Sequence, residues 1–156
     1  MKLTTKGRYA VTAMTDLAAH ADAAPVGLGE IALRQGISLA YLEQIFARLR
    51  RAGLVVSARG VAGGYRLARP AGEIRVADVI AAADEEIRTT ACERGSSISC
   101  QGQSARCLTH ELWDELGRQI DVFLSAVTLA DVLGRRVHGM AAVNPPASTP
   151  RERVGA

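Results

Sequence analysis

Aromatic residues are scarce in this sequence: one Trp, three Tyr and two Phe in 156 positions. So few rings exclude a reader of single-stranded nucleic acid, which needs stacking platforms, and argue against an enzyme built round a large aromatic pocket. No apolar run approaches the roughly 18 residues of a membrane span. The opening Met1-Lys2-Leu3-Thr4-Thr5-Lys6 lacks the shape of a secretory signal, so the expected location is the cytoplasm. Cysteine is rare and odd in number, with three copies; in a reducing compartment such thiols are more often ligands or nucleophiles than bridges. No Cys-x-x-Cys pair occurs, which speaks against a thiol redox enzyme. A phosphate loop is missing too, because Gly60, Gly63 and Gly64 stand between two β-prone runs without the helix start that holds phosphate. No nucleophile–base pair can be assembled, and no enzymatic activity is expected.

What is present suits a globular protein, with 48% hydrophobic and 22% charged residues. A chain of this length buries roughly two-thirds of its surface on folding and needs no disulfide staples. Its charge is uneven: residues 1–70 hold ten basic against four acidic side chains, net +6, and residues 71–156 nine against twelve, net −3. A DNA-binding domain fused to a regulatory or assembly domain has this asymmetry, although two solvated surfaces of uneven charge would show it as well.

The order of elements narrows the choice. Thr4 or Thr5 can cap a helix through Tyr9, Val11, Ala13, Met14, Leu17 and Ala18, with Pro25 enforcing a break. A second helix over Leu28–Gln35 carries Leu28, Ile31, Ala32 and Leu33 at helical spacing, and Gly36 follows where a left-handed cap is wanted. Ser38 has the chemistry to cap a third, Leu39 to Ala52, whose Leu42, Ile45, Phe46 and Leu49 fall within an arc of about 100°. Ala40, Gln44, Ala47 and Arg51 lie opposite, flanked by Glu43 and Arg48, and Gly53 ends the helix. The β-prone runs on either side of Gly60 to Gly64 read as a hairpin. The predicted fold class is therefore mainly α with a small β-hairpin wing: a winged helix-turn-helix over residues 1–70. Residues 71–136 follow as a second unit, with a helix from about Val76 to Ala83, a long loop from Asp84 to Cys107, and a long helix from Thr109. That helix has Glu111, Asp114 and Glu115 at its start and the stripe Leu112, Leu116, Ile120, Phe123, Leu124 and Val127. Thr128 can cap a last short helix through Asp131 and Leu133, and residues 137–156 supply no stripe and are expected to form a flexible tail.

All three cysteines, Cys92, Cys100 and Cys107, fall in a 16-residue window, and His110 follows Cys107 by three residues. Three soft thiolates and an imidazole suit a tetrahedral zinc or an iron–sulfur cluster. A structural zinc usually arrives with a tight C-x₂₋₄-C knuckle, whereas the gaps here are seven, six and two residues. Wide gaps favour a cluster, whose two irons need ligands spread over a larger perimeter. A zinc-stabilised regulator without redox sensing stays open as the alternative.

Met1 to Ala10, the run Gln35-Gly36-Ile37-Ser38, then Tyr41-Leu42-Glu43-Gln44, Arg59-Gly60 and Gly63-Gly64-Tyr65 closely resemble the bacterial iron–sulfur cluster regulators of the IscR family. The likeness continues through Cys107-Leu108-Thr109-His110 and Leu112-Trp113, over about residues 1–133. Two features depart from the family pattern: a slightly longer cysteine loop, and Ala40 where a polar side chain is usual. Arg8 stands where a sister group of nitric-oxide sensors has a ligating aspartate, and an arginine cannot ligate iron. The resemblance implies a homodimeric transcription factor, repressor or activator, holding a [2Fe-2S] cluster through Cys92, Cys100, Cys107 and His110 and controlling cluster-assembly genes. In such a protein Ser38, Tyr41, Glu43 and Gln44 present the reading helix to the major groove, with Arg59 and Gly60 on the wing in the minor groove. Lys2, Lys6 and Arg8 suit phosphate contacts, and the Leu112–Val127 stripe would pair two copies about a two-fold axis.

Overall fold

The computed structural model describes residues 5–20, 24–60, 63–83 and 108–137. The chain opens with α1 (Thr5–Ala19), α2 (Leu28–Gln35) and α3 (Leu39–Arg51). Gly36 has φ 63° and closes α2, as a position without a Cβ can at no steric cost. Ser38 then accepts from the Tyr41 N–H at 3.2 Å and starts α3. Leu42, Ile45, Phe46 and Leu49 are fully buried against Ala13, Met14 and Leu17 of α1 and Ile31 of α2. Leu33, placed by helical spacing beside the α2 stripe, instead points to solvent and is 87% exposed. Eight residues make only about two turns, and Ile31 is the one buried side chain among them.

Strands β1 (Val55–Ala58) and β2 (Gly64–Leu67) form an antiparallel hairpin with Val55 opposite Leu67 and Ala58 opposite Gly64. A third segment joins it: Val26 and Tyr65 exchange backbone hydrogen bonds at 2.9 and 2.8 Å. The wing is thereby tied to the chain just before α2. Phe46 meets Tyr65 edge to face at 4.9 Å, which fixes the wing to α3 as well.

After a 3₁₀ turn at Ala71–Glu73 come α4 (Val76–Ala82), α5 (His110–Ala126) and α6 (Leu129–Leu133). Ile74, Val79, Ala83 and Leu129 share one core cluster with α1 and α3, so the core crosses position 70 without a break. Thr128 and Asp131 form a reciprocal cap on α6, with the Asp131 N–H donating to the Thr128 hydroxyl oxygen at 3.2 Å and Asp131 accepting from the Thr128 N–H at 3.0 Å. The Val76 N–H donates to Val127 and the Leu129 N–H to Ile74, both at 2.9 Å, which pins the C-terminal end of α5 to the body. Val127 therefore leaves the expected α5 stripe: it lies just past the helix and packs with Val76 and Ile80. Of the three acids at the start of α5, Glu111 alone lies in its first turn. The cysteine loop, Thr4, Lys2 and the tail from residue 138 onward lie outside the described residues.

Candidate nucleic-acid interface and sensor residues

Helix α3, expected to be the reader, has one side locked into the core while the other faces water. Glu43 and Gln44 are exposed, as are Ser38 and Ala40 at its start. Ser38 spends its hydroxyl oxygen on the helix cap, which sets the entry angle of α3. Tyr41 is half-buried and meets Tyr9 of α1 edge to face at 5.8 Å. Its ring thus ties the start of α3 to the first helix, a packing role beside any contact of its hydroxyl. Arg59 and Gly60 are exposed at the tip of the wing, Arg8 is exposed and Lys6 half-buried on the first turns of α1.

A buried polar centre that no periodicity announces joins α1 to α2. The Asp16 side chain is 2% exposed. Arg34 donates from Nε to both of its oxygens at 3.1 Å and from Nη2 to Oδ1 at 2.6 Å, and Gln35 donates to Oδ2 at 2.6 Å. Burial alone would raise the Asp16 carboxyl, but hydrogen bonds from Arg34 and Gln35, with the charges of Arg34 and His20, hold it below its ordinary value. Arg34 is raised in turn, first by its hydrogen bond to Asp16. His20 stands at the negative end of α1, its Nδ1 2.8 Å from the Asp16 carbonyl oxygen.

Of the four expected metal ligands only His110 is among the described residues. It is the first residue of α5 and is 6% exposed. Cys92, Cys100 and Cys107 lie outside the described residues, and among the described ones no group of three or more His, Cys, Asp or Glu could hold a metal ion. Along the rest of α5, Leu112 is 62% exposed, and Trp113, Leu116 and Phe123 are exposed as well, with Ile120 and Leu124 half-buried. Among the described residues no helix is long and apolar enough to cross a membrane.

A capped helix with one side buried and one free, followed by a hairpin wing, defines a winged helix-turn-helix DNA-binding regulator. Comparison with known proteins makes this specific. Residues 3–135 match the model of the Rrf2 family, described as an iron-dependent transcriptional regulator, and the chain belongs to that family. It is 54% identical over 133 residues to the HTH-type transcriptional regulator IscR of Vibrio atlanticus, covering 85% of this chain and 75% of that protein. The IscR of Xenorhabdus nematophila is 53% identical, with 85% and 79% covered. Among solved structures, T. potens IscR superposes with a TM-score of 0.69 at 40% identity, covering 87% of this chain and 88% of that one. CymR, the global cysteine regulator of B. subtilis, superposes with a TM-score of 0.72 at 32% identity, covering 86% and 98%. The protein is an IscR-like transcriptional regulator and not an enzyme.

Proposed function

We propose that this regulator is a cytoplasmic homodimer that senses iron–sulfur status by ligating a 2Fe-2S cluster through Cys92, Cys100, Cys107 and His110, and that it controls cluster-assembly genes. The observation that carries the reading is His110, buried at the first residue of α5 and three residues after Cys107. Three thiolates and one neutral imidazole form a donor set suited to such a cluster. When bound, the cluster supplies a redox- and oxygen-labile charge, roughly −1 for an oxidised core with three thiolates. His110 brings its imidazole to a helix start whose unpaired N–H groups favour an anionic neighbour. A neutral, protonatable imidazole leaves more readily than a thiolate, which suits a sensor.

The division of labour follows the chain. Residues 1–70 read DNA: Gln44 and Glu43 offer an amide and a carboxylate to base edges, with Ser38 and Tyr41 setting the helix that carries them. Arg59 and Gly60 enter the minor groove, and Lys2, Lys6 and Arg8 hold phosphates. Residues 71–136 sense and assemble, with Leu112, Leu116, Ile120, Phe123 and Leu124 of α5 facing a second copy so that a two-fold protein meets a palindromic site. Residues 137–156 lie outside both tasks.

Absorbance with iron and sulfide assays on protein purified under nitrogen tests the reading. A red-brown protein holding iron and sulfide is expected. A colourless protein carrying zinc would instead make it a zinc-stabilised regulator, and a colourless protein with no metal would overturn both.

A further inference from the structure

Arg48 lies on α3, yet its guanidinium reaches another element: Nη1 donates to the Ala83 carbonyl at 3.2 Å. Ala83 is the cap residue that ends α4 and is fully buried. Residue 84 begins the segment that carries Cys92, Cys100 and Cys107. The last carbonyls of a helix lack intrahelical partners and carry partial negative charge, so a guanidinium is favoured there both as donor and as cation. The Ala83 N–H is spent inside its own helix, on Val79 at 3.1 Å. Beside this bond Arg48, Arg51, Ala52, Ala81 and Ala82 line an open surface cleft of about 430 Å³, while Ala83 itself is packed in the core that α3 shares.

Both ends of that bond matter. Gln44 and Glu43 stand four and five residues before Arg48 on the same helix, about 6–8 Å along its axis. Arg48 shares one continuous helix with Glu43 and Gln44, and Leu42, Ile45, Phe46 and Leu49 on it are fully buried, so a change at Arg48 bears on the placement of the whole helix. We propose that Arg48 is the positioning residue that couples the cysteine segment to the DNA-reading helix. By holding the Ala83 carbonyl, it makes the tilt of α3 depend on how the chain leaving α4 is held. The inference rests on the cluster reading given above and names the route by which occupancy reaches DNA.

The test uses full-length parent, Arg48→Ala and Arg48→Lys, each cluster-loaded and then chelator-stripped under nitrogen. The probe is one duplex selected from a random pool by the loaded parent. Kd for both forms, iron and sulfide content, and the thermal midpoint are recorded. The parent is expected to show a loaded-to-stripped affinity ratio in the range typical of allosteric coupling, about 5–150-fold. In Arg48→Ala that ratio should fall to within about twofold of unity while iron and sulfide content stay at the parent's level. Arg48→Lys should keep the larger part of it, since an ammonium can also donate to a helix-end carbonyl. A parental ratio in Arg48→Ala overturns the coupling. So does an equal loss of affinity in both forms, which would make Arg48 a phosphate contact. Should Arg48→Ala not fold, Arg48→Met, which keeps the length without a donor, is judged by the same ratio. A parent that takes up iron and sulfide but binds the duplex equally in both forms overturns the coupling and regulation by the cluster. A parent that takes up neither overturns the cluster reading itself.

Discussion

Arg34 clasps the buried Asp16 carboxylate with two nitrogens, and Gln35 takes the remaining lone pair of Oδ2, so one acid on α1 fixes the last turn of α2. Since α2 leads through the short turn Gly36-Ile37-Ser38 into α3, that clasp sets the platform from which α3 starts. Removing one partner of a buried pair leaves the other uncompensated, at a cost of about 3–5 kcal/mol. Arg34 keeps about a third of its side chain in water, which reduces that, and we expect Asp16→Asn to lose about 2–3 kcal/mol at pH 7.

The same pair predicts an acid dependence. The Asp16 carboxyl lies below its ordinary value in the folded protein, whereas the unfolded chain titrates near pH 3.9. The folded state therefore binds that proton less readily than the unfolded one. Its contribution is complete above the unfolded value and is lost as pH falls through the folded one. Asp131, held low first by its hydrogen bond to the Thr128 hydroxyl, acts in the same direction. The difference between parent and Asp16→Asn thus reports Asp16. Urea midpoints measured from pH 7 to pH 3 should converge toward the acid end, and parallel curves would remove Asp16 from the acid limb.

At the wing, a Cβ on Gly64 would lie 2.5 Å from the Val26 carbonyl oxygen and 2.6 Å from its carbon. Those atoms are backbone, held by the paired bonds between Val26 and Tyr65, and cannot swing aside. Gly64→Ala should cost about 1–3 kcal/mol and weaken DNA binding by displacing the wing. A thermal midpoint equal to the parent's would show that the Val26 segment yields.

Local chemistry was readable wherever neighbours in sequence are neighbours in space. The Ser38 cap, the Gly36 turn, the hairpin and the stripe Leu42, Ile45, Phe46 and Leu49 are all of that kind. What escaped was pairing over distance. Asp16 and Arg34 are 18 residues apart, and Arg48 and Ala83 are 35 apart; no period links such positions. Spacing also cannot tell where a stripe stops, which is why Leu33 is exposed and Val127 joins the core. For the proposed cluster ligands the legible signal was Cys107-x-x-His110, whereas the burial of His110 is a tertiary feature that spacing alone does not reveal.

The exposed apolar side chains of α5 predict an assembly. Leu116 and Phe123 are seven residues apart, two turns of one helix, and each is 38% exposed. Placing a carboxylate at the centre of a two-fold interface sets like charges against each other. Leu116→Glu and Phe123→Glu should each convert a dimer to monomer by light scattering, with little change in the monomer's own core. A dimer that survives both would place the partner elsewhere.

Arg59 is exposed at the wing tip. An arginine in a minor groove releases counterions on binding, so its loss should weaken affinity and also flatten the salt dependence by about one unit of slope. Arg59→Ala titrated against one duplex at several salt concentrations gives both quantities. Affinity and slope equal to the parent's would take Arg59 out of the interface.

His110 offers the sharpest test of the sensor reading, because its replacements point in different directions. If its imidazole is the fourth ligand, His110→Ala should still take up a cluster but lose it faster in air. His110→Cys should retain one at a lower reduction potential, since a thiolate adds a negative charge to the site. A histidine that only packs at the start of α5 gives another pattern: iron content, colour and potential match the parent in both variants, and only the thermal midpoint falls. A zinc site gives no chromophore in any of the three proteins. Reconstitution of parent and both variants side by side under nitrogen, followed by absorbance and potentiometry, separates these outcomes. Equal potentials in parent and His110→Cys would remove His110 from the ligand set, whatever the cysteines hold.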